Sequence, residues 1–195
     1  MNGEVAVRLA RRAVDAEAAG RAISKEEIPA GMESPKGVFV TLKTYPEGRL
    51  RGCIGYPEPV LPQGEAIIAS AVSAASRDPR FSPVSEKETY SITVEVTILT
   101  VPETIKGPKS ELPSRIVIGR DGLIISCRGR RGLLLPQVPE EWGWDQKEYL
   151  AQLSVKAGRP PDAWMRPNAE IQWFRGKVFT EETPRGNVVE VISRT

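Results

Sequence analysis

The stretch GVFVTLKTYPEGRLRGCIG, Gly37–Gly55, decides how the chain is read. Its two arms, GVFVTLK (Gly37–Lys43) and RLRGCI (Arg49–Ile54), flank TYPEG, five residues holding a proline and a glycine. Strand-forming runs on either side of a short Pro/Gly loop predict a β-hairpin. Alternation along the second arm puts Arg49, Arg51 and Cys53 on one face, and Leu50 and Ile54 on the other.

That placement leaves two readings of Cys53. Arg51 is about 7 Å away at the backbone, and a guanidinium about 5 Å from a thiolate at an effective dielectric near 20 favours the anion by about 3 kcal/mol. A reactive thiolate in a basic setting follows. Alternatively, Cys53 is a small packed hydrophobe, with Gly52 and Gly55 there to let another backbone approach.

The surrounding chain narrows the chemistry. Its 195 residues are 40% hydrophobic and 27% charged, enough to bury a core as one domain or two small subdomains. No apolar run approaches the roughly 18 residues of a membrane span, and the charged N-terminus lacks a signal-peptide core, so a cytoplasmic protein is expected. The formal net charge of +2 demands no polyanionic partner. Histidine is absent, which removes the usual general base and the usual zinc ligand. With only Cys53 and Cys127 besides, no metal site is expected and the thiols are expected to be free.

Outward from the hairpin, residues 4–19 read as an alanine-rich helix with Val5, Leu9, Ala13 and Ala16 on one face, ended by Gly20. Gln63–Arg77 reads as a second helix, stopped by Asp78-Pro79. SITVEVTIL (Ser91–Leu99) alternates strictly, with Ile92, Val94, Val96 and Ile98 on one face. RIVIGRDGLIISC (Arg115–Cys127) reads as a second hairpin turning at Arg120-Asp121-Gly122, followed by the loop RGRRG. Cys127 shares a face with Leu123 and Ile125 and is expected to be buried. A helix starts at Asp145 with a capping-box pattern through Glu148, and EIQWF (Glu170–Phe174) and VVEVI (Val188–Ile192) close the chain as strands. With no regular βαβ repeat, the fold class is α+β, a largely antiparallel sheet flanked by helices.

Three further groups carry possible chemistry. SRDPRF (Ser76–Phe81) sets Arg77 and Arg80 around Asp78, although Arg77 can equally serve the helix end and Asp78 the turn. Glu95, on the polar face of its strand, is a candidate carboxylate base. Arg120, Arg128, Arg130 and Arg131 suggest phosphate or RNA binding, but no aromatic residue stands among them for stacking, so nucleic acid is not the expected partner.

Taken together, GVFVTL, LRGCIG, RDPRF, GLLLPQVP, Trp144-Asp145 and the KAG of Lys156–Gly158 follow the order seen in the AMMECR-one domain family, which the chain resembles from about Gly37 to Trp164. The resemblance implies a two-part α+β fold, with a larger subdomain holding both termini and a smaller one from the middle of the chain. It also implies a cleft around LRGCIG that gathers Arg51, Gly52, Cys53, Arg77, Asp78 and Arg80, with Gln137 in its wall. It further implies a pathway shared with a Memo-like protein and a radical-SAM enzyme, and names no cofactor. Asp121 and Ser154 stand where the family often has histidine and cysteine, so neither family residue is essential here.

The expectation is therefore an enzyme acting on a small anionic substrate. Cys53 would be nucleophile or thiol acid/base, Asp78 or Glu95 the proton carrier, and Arg51, Gly52, Arg77, Arg80 and Gln137 the binding set. The alternative is a non-catalytic module whose LRGCIG face docks a partner protein or a metabolite.

Overall fold

The computed structural model describes residues 3–191. Helix α1 (Gly3–Ala18) is followed by strands β1 (Val38–Thr44) and β2 (Leu50–Tyr56), helix α2 (Gln63–Ser76) and strand β3 (Ile92–Leu99). Then come β4 (Glu103–Thr104), α3 (Leu112–Arg115), β5 (Gly122–Cys127), β6 (Arg130–Leu134), α4 (Gln137–Trp142), α5 (Gln146–Lys156) and β7 (Ala169–Phe174). β8 (Gly176–Glu181) and β9 (Val188–Val191) complete the order; Ile192, expected to end the last strand, lies outside the described residues. Helices and antiparallel strand pairs make the fold α+β, as composition and patterning predict.

The chain divides into two compact units: the residues up to Thr100 with those from Gly176 onward, and Val101–Arg175. The first holds a sheet in the order β2-β1-β3-β8-β9, the second a sheet in the order β4-β7-β5-β6. Two sheets, rather than one, are what the sequence reading did not separate.

In the first unit, α1 and α2 cover one face of the sheet. The alternating positions Val38, Val40 and Leu42 of β1, and Ile92, Val94, Val96 and Ile98 of β3, are buried with Val7, Leu9, Ala10, Val14, Ile67 and Ala71 of the two helices. Of the four expected positions of α1, Leu9, Ala13 and Ala16 are buried and Val5 is half-buried, and the helix buries further residues, Arg11 included. Arg11 reaches Glu181 of β8 at 3.1 and 2.5 Å, and both side chains are almost wholly enclosed. Glu181 also accepts the Val94 N–H at 3.1 Å, and Arg11 donates to the carbonyls of Thr89 and Ile92. A buried charge pair survives only when its remaining hydrogen-bonding sites are filled in this way.

Gly52 explains how closely α2 lies on β2: a Cβ there would sit 2.3 Å from the Ala74 carbonyl oxygen. The β1–β2 register contains a bulge. Leu42 opposes Gly52 but Lys43 opposes Leu50, so Arg51 is left without a partner. Opposed residues share a face, so the bulge moves Leu50 to the side of Lys43, where it is 41% exposed, against the strict alternation expected of the arm.

The second unit has its own core, built from Leu123, Ile125 and Cys127 of β5, Ala169 and Ile171 of β7, and Tyr149, Leu150, Leu153 and Ala157 on one face of α5. Cys127 is buried, as its strand face predicts. α5 is capped by Asp145, whose carboxylate accepts the Glu148 N–H at 2.8 Å; the Glu148 carboxylate accepts from Gln152 instead of closing the box. The expected hairpin at Arg120–Gly122 is displaced. Residues 116–121 form a turn, tied by the Asp121 carboxylate to the Val117 N–H at 2.9 Å, and the hairpin of β5 runs forward to β6 around Arg128-Gly129. The loop RGRRG is thus a tight turn and the start of a strand. β8 and the two-residue β4 carry no expectation, since GKVFTE and ET are too short and mixed to show a period.

Candidate functional site

The site grows from the edge strand β2. Thr41 of β1 opposes Cys53, and Glu95 of β3 opposes Thr41 on the other side, so the three share the face that α1 and α2 leave uncovered. Thr180 of β8 continues the row beyond Glu95. Cys53 turns its backbone N–H and C=O away from β1, which makes Thr41 and Cys53 a non-hydrogen-bonded pair, the kind that brings side chains closest. The Thr41 hydroxyl accordingly lies 3.3 Å from the Cys53 sulfur, and the cysteine is half-buried.

The open edge of β2 is closed by the residues after α2. Arg77 caps that helix, its N–H bonded to the Ser73 carbonyl, and Asp78-Pro79 turns the chain back towards Cys53. Asp78 is 3% exposed and accepts the Cys53 N–H at 2.9 Å on one oxygen. Arg80 bonds both carboxylate oxygens, through Nε at 2.9 Å and Nη2 at 2.7 Å, and donates its own N–H at 3.1 Å. The same Nη2 reaches the Cys53 carbonyl at 3.3 Å. One carboxylate and one guanidinium therefore occupy the ladder positions that a further strand would take.

Charge follows geometry. The side-chain hydrogen bond from Arg80 holds the Asp78 carboxyl far below the ordinary range, outweighing the opposing effect of burial. Arg51, carried off by the bulge, forms a fork with Glu88 at 2.5 and 3.1 Å and donates to the Ser82 carbonyl at 2.9 Å. That hydrogen bond lowers the Glu88 carboxyl in turn. The Phe81 ring lies under both guanidinium groups, at 5.8 Å from Arg51 and 5.5 Å from Arg80. Glu95 is paired with Lys43 of β1 at 2.7 Å.

Of the residues singled out in the sequence, Cys53, Asp78 and Arg80 form one hydrogen-bonded cluster, and Arg51 joins them through Phe81. Glu95 lies two strands from Cys53, about 10 Å at the backbone by strand spacing. Arg77 is exposed and makes no side-chain hydrogen bond among the described residues. Gly52 is buried against the carbonyl of Ala74, on the side of the helix. Gln137 is exposed at the first position of α4, in the second unit. Thr41, Lys43 and Glu88 were missed. The first two follow from the hairpin register once its bulge is known, whereas Glu88 comes from a distant turn and leaves no trace in local spacing.

Among the described residues no group of three His, Cys, Asp or Glu side chains is placed to hold a metal ion, and no helix is long and apolar enough to cross a membrane.

Comparison with known proteins agrees with this architecture. The family model described as AMMECR1 matches residues 7–179. The chain is 52% identical over 190 residues to Protein MJ0810 of Methanocaldococcus jannaschii, covering 96% of this chain and 94% of that one. It is 47% identical over 191 residues to Protein PH0010 of Pyrococcus horikoshii, covering 95% and 93%. The crystal structure of PH0010 matches with a TM-score of 0.76 at 46% identity, over 97% of this chain and 96% of that chain.

Proposed function

The chain belongs to the AMMECR1 family, and we propose that it is an enzyme acting on a small anionic substrate, with the Cys53 sulfur as the attacking or proton-transferring group. The observation that carries this reading is the way Cys53 is held. Its sulfur is reached by the Thr41 hydroxyl on the helix-free face, while both its backbone groups are bound by Asp78 and Arg80. A thiol on a rigid strand with its surroundings locked is what a near-attack geometry needs.

Roles divide by what each side chain has left to give. Both Asp78 oxygens are engaged and its carboxyl is held ionised, so Asp78 positions Arg80 and the strand rather than taking a proton. Arg80 is half exposed, its Nη1 makes no hydrogen bond among the described residues, and it supplies the charge for the substrate's anionic group. Arg51 gives its Nε and Nη2 to Glu88 and keeps an unpartnered Nη1 that is buried, out of reach of a substrate on the surface, so it braces the site. A substrate lying over Thr41 would have Cys53 on one side and the Lys43–Glu95 pair on the other, which leaves Glu95 as the proton carrier. The expected setting is the pathway of the Memo-like protein and the radical-SAM enzyme.

One observation favours the second reading, a non-catalytic module that docks a metabolite or partner: every carboxylate around Cys53 already has a protein cation. Protection experiments separate the two. Small carboxylates and phosphates should slow alkylation of Cys53 by a neutral reagent, and Arg80→Gln should abolish the protection. Protection by no anion at all would remove the anionic-substrate reading and leave partner docking.

A further inference from the structure

The second unit carries a group of cations that the chemistry at Cys53 does not use. Cys127 opposes Arg130, so Arg128 and Gly129 are the whole loop of the β5–β6 hairpin. Both are left-handed, with φ of 50° and 74°, as a two-residue type I′ turn requires. Glycine suits such a position and asparagine tolerates it; an arginine at the first of them is disfavoured on its own terms. Non-glycine strain of this kind persists where the surrounding structure enforces it and tends to mark function. Here Arg159, just beyond α5, enforces it by donating to the carbonyls of Cys127 at 3.3 Å and Arg128 at 2.7 Å.

The strained arginine is among the residues lining a cavity of ≈ 450 Å³, with Ser126, Arg130, Arg131, Asn168 and Glu170 and the backbone of the turn. Arg128 and Arg130 are exposed, and neither side chain makes an ion pair or hydrogen bond among the described residues. Glu170 is the one carboxylate in the lining, and it accepts the Thr104 hydroxyl at 2.7 Å. Three arginines of the lining, Arg128, Arg130 and Arg131, thus stand with a single acid. No aromatic side chain lines the cavity, so it offers charge and planar forks without a surface for stacking bases. That combination reads phosphate rather than base identity.

We propose that the tip of the β5–β6 hairpin is a phosphate-binding site, in which Arg128 and Arg130 hold the phosphate groups of a free polyphosphate or of a single-stranded RNA backbone. A glycine in place of Arg128 would give a better turn and no ligand contact.

The test uses the full chain and two probes: inorganic tripolyphosphate by calorimetry, and a short labelled oligouridine RNA by fluorescence anisotropy at two salt concentrations. At least one probe should bind, and Arg128→Gly and Arg130→Gln should each weaken it about tenfold, the loss expected of one charged hydrogen-bonding group. Arg128→Gly should at the same time leave the thermal midpoint unchanged or raised, which separates lost binding from lost structure. If RNA binds, each substitution should flatten the log–log salt dependence by about 0.7. Binding of tripolyphosphate alone assigns the site to a free phosphorylated ligand, and binding of RNA alone assigns it to nucleic acid. Failure of both probes to bind at low salt, or equal binding by wild type and both variants, overturns the proposal.

Discussion

Thr41 and Asp78 touch Cys53 in different ways, and their substitutions should be told apart. Thr41→Val removes only the hydroxyl beside the sulfur, so the fold should persist while the alkylation rate of Cys53 changes; an unchanged rate would show that the hydroxyl does not influence the thiol. Asp78→Asn removes the charge that binds Arg80 and the strand edge. A carboxyl held below its unfolded pKa contributes stability above that pKa, and the contribution is lost as pH falls through the folded value. The unfolded pKa of aspartate is about 3.9, so wild type should lose stability progressively below about pH 4. The variant should be less stable at neutral pH and show a flatter acid limb in urea unfolding. Parallel limbs would mean that Asp78 contributes nothing through its charge. Gly52→Ala would place a methyl group against a backbone oxygen, not a yielding side chain. It should cost about 1–3 kcal/mol by denaturant unfolding, the usual range for overpacking.

At the scale of elements, what was legible depended on how local the determinant was. The arms and loop of the β1–β2 hairpin, the alternation of β3 and the Asp145 cap of α5 are written in neighbouring residues, and the structure has them within a residue or two. Asp145→Ala should accordingly lower stability by about 1 kcal/mol, read as a shift in the unfolding midpoint. The bulge at Arg51 was not legible, because a slip in register depends on the partner strand and on the fork that Glu88 offers the displaced arginine. It matters more than its size suggests, since it sends Leu50 to the open face and Arg51 to Glu88. The second hairpin was misplaced for a related reason. Arg120-Asp121-Gly122 has the composition of a turn, but Asp121 spends its carboxylate on Val117, Arg120 and Arg175, which fixes a loop before β5 instead of a hairpin within it.

For the whole molecule, the patterning of helices and strands announced an α+β chain, but it could not show two sheets with two cores. That division depends on which strands pair at long range, and β8, the strand joining β3 to β9, was invisible in the sequence. The same strand supplies Glu181, so the first unit is secured by a charge pair that no local pattern announced. Arg11→Ala leaves that carboxylate enclosed without its cation and should cost about 3–5 kcal/mol. Arg11→Met with Glu181→Leu should recover only part of the loss, because the Val94 N–H and the Ile92 carbonyl would lose these partners, whereas the Thr89 carbonyl keeps the bond from Arg185. Full recovery would show that those bonds are made elsewhere.

Cys53 is half-buried where Cys127 is buried, so the two cysteines of the chain provide their own control. The deciding measurement is site-resolved alkylation of native protein by neutral iodoacetamide and anionic iodoacetate, read by mass spectrometry at Cys53 and Cys127, in wild type and Arg80→Gln. Cys53 should label in the folded state while Cys127 waits for unfolding, and its preference for the anionic reagent should fall when Arg80 is neutralised. Equal protection of both thiols until the protein unfolds would contradict the account and make LRGCIG a packing motif.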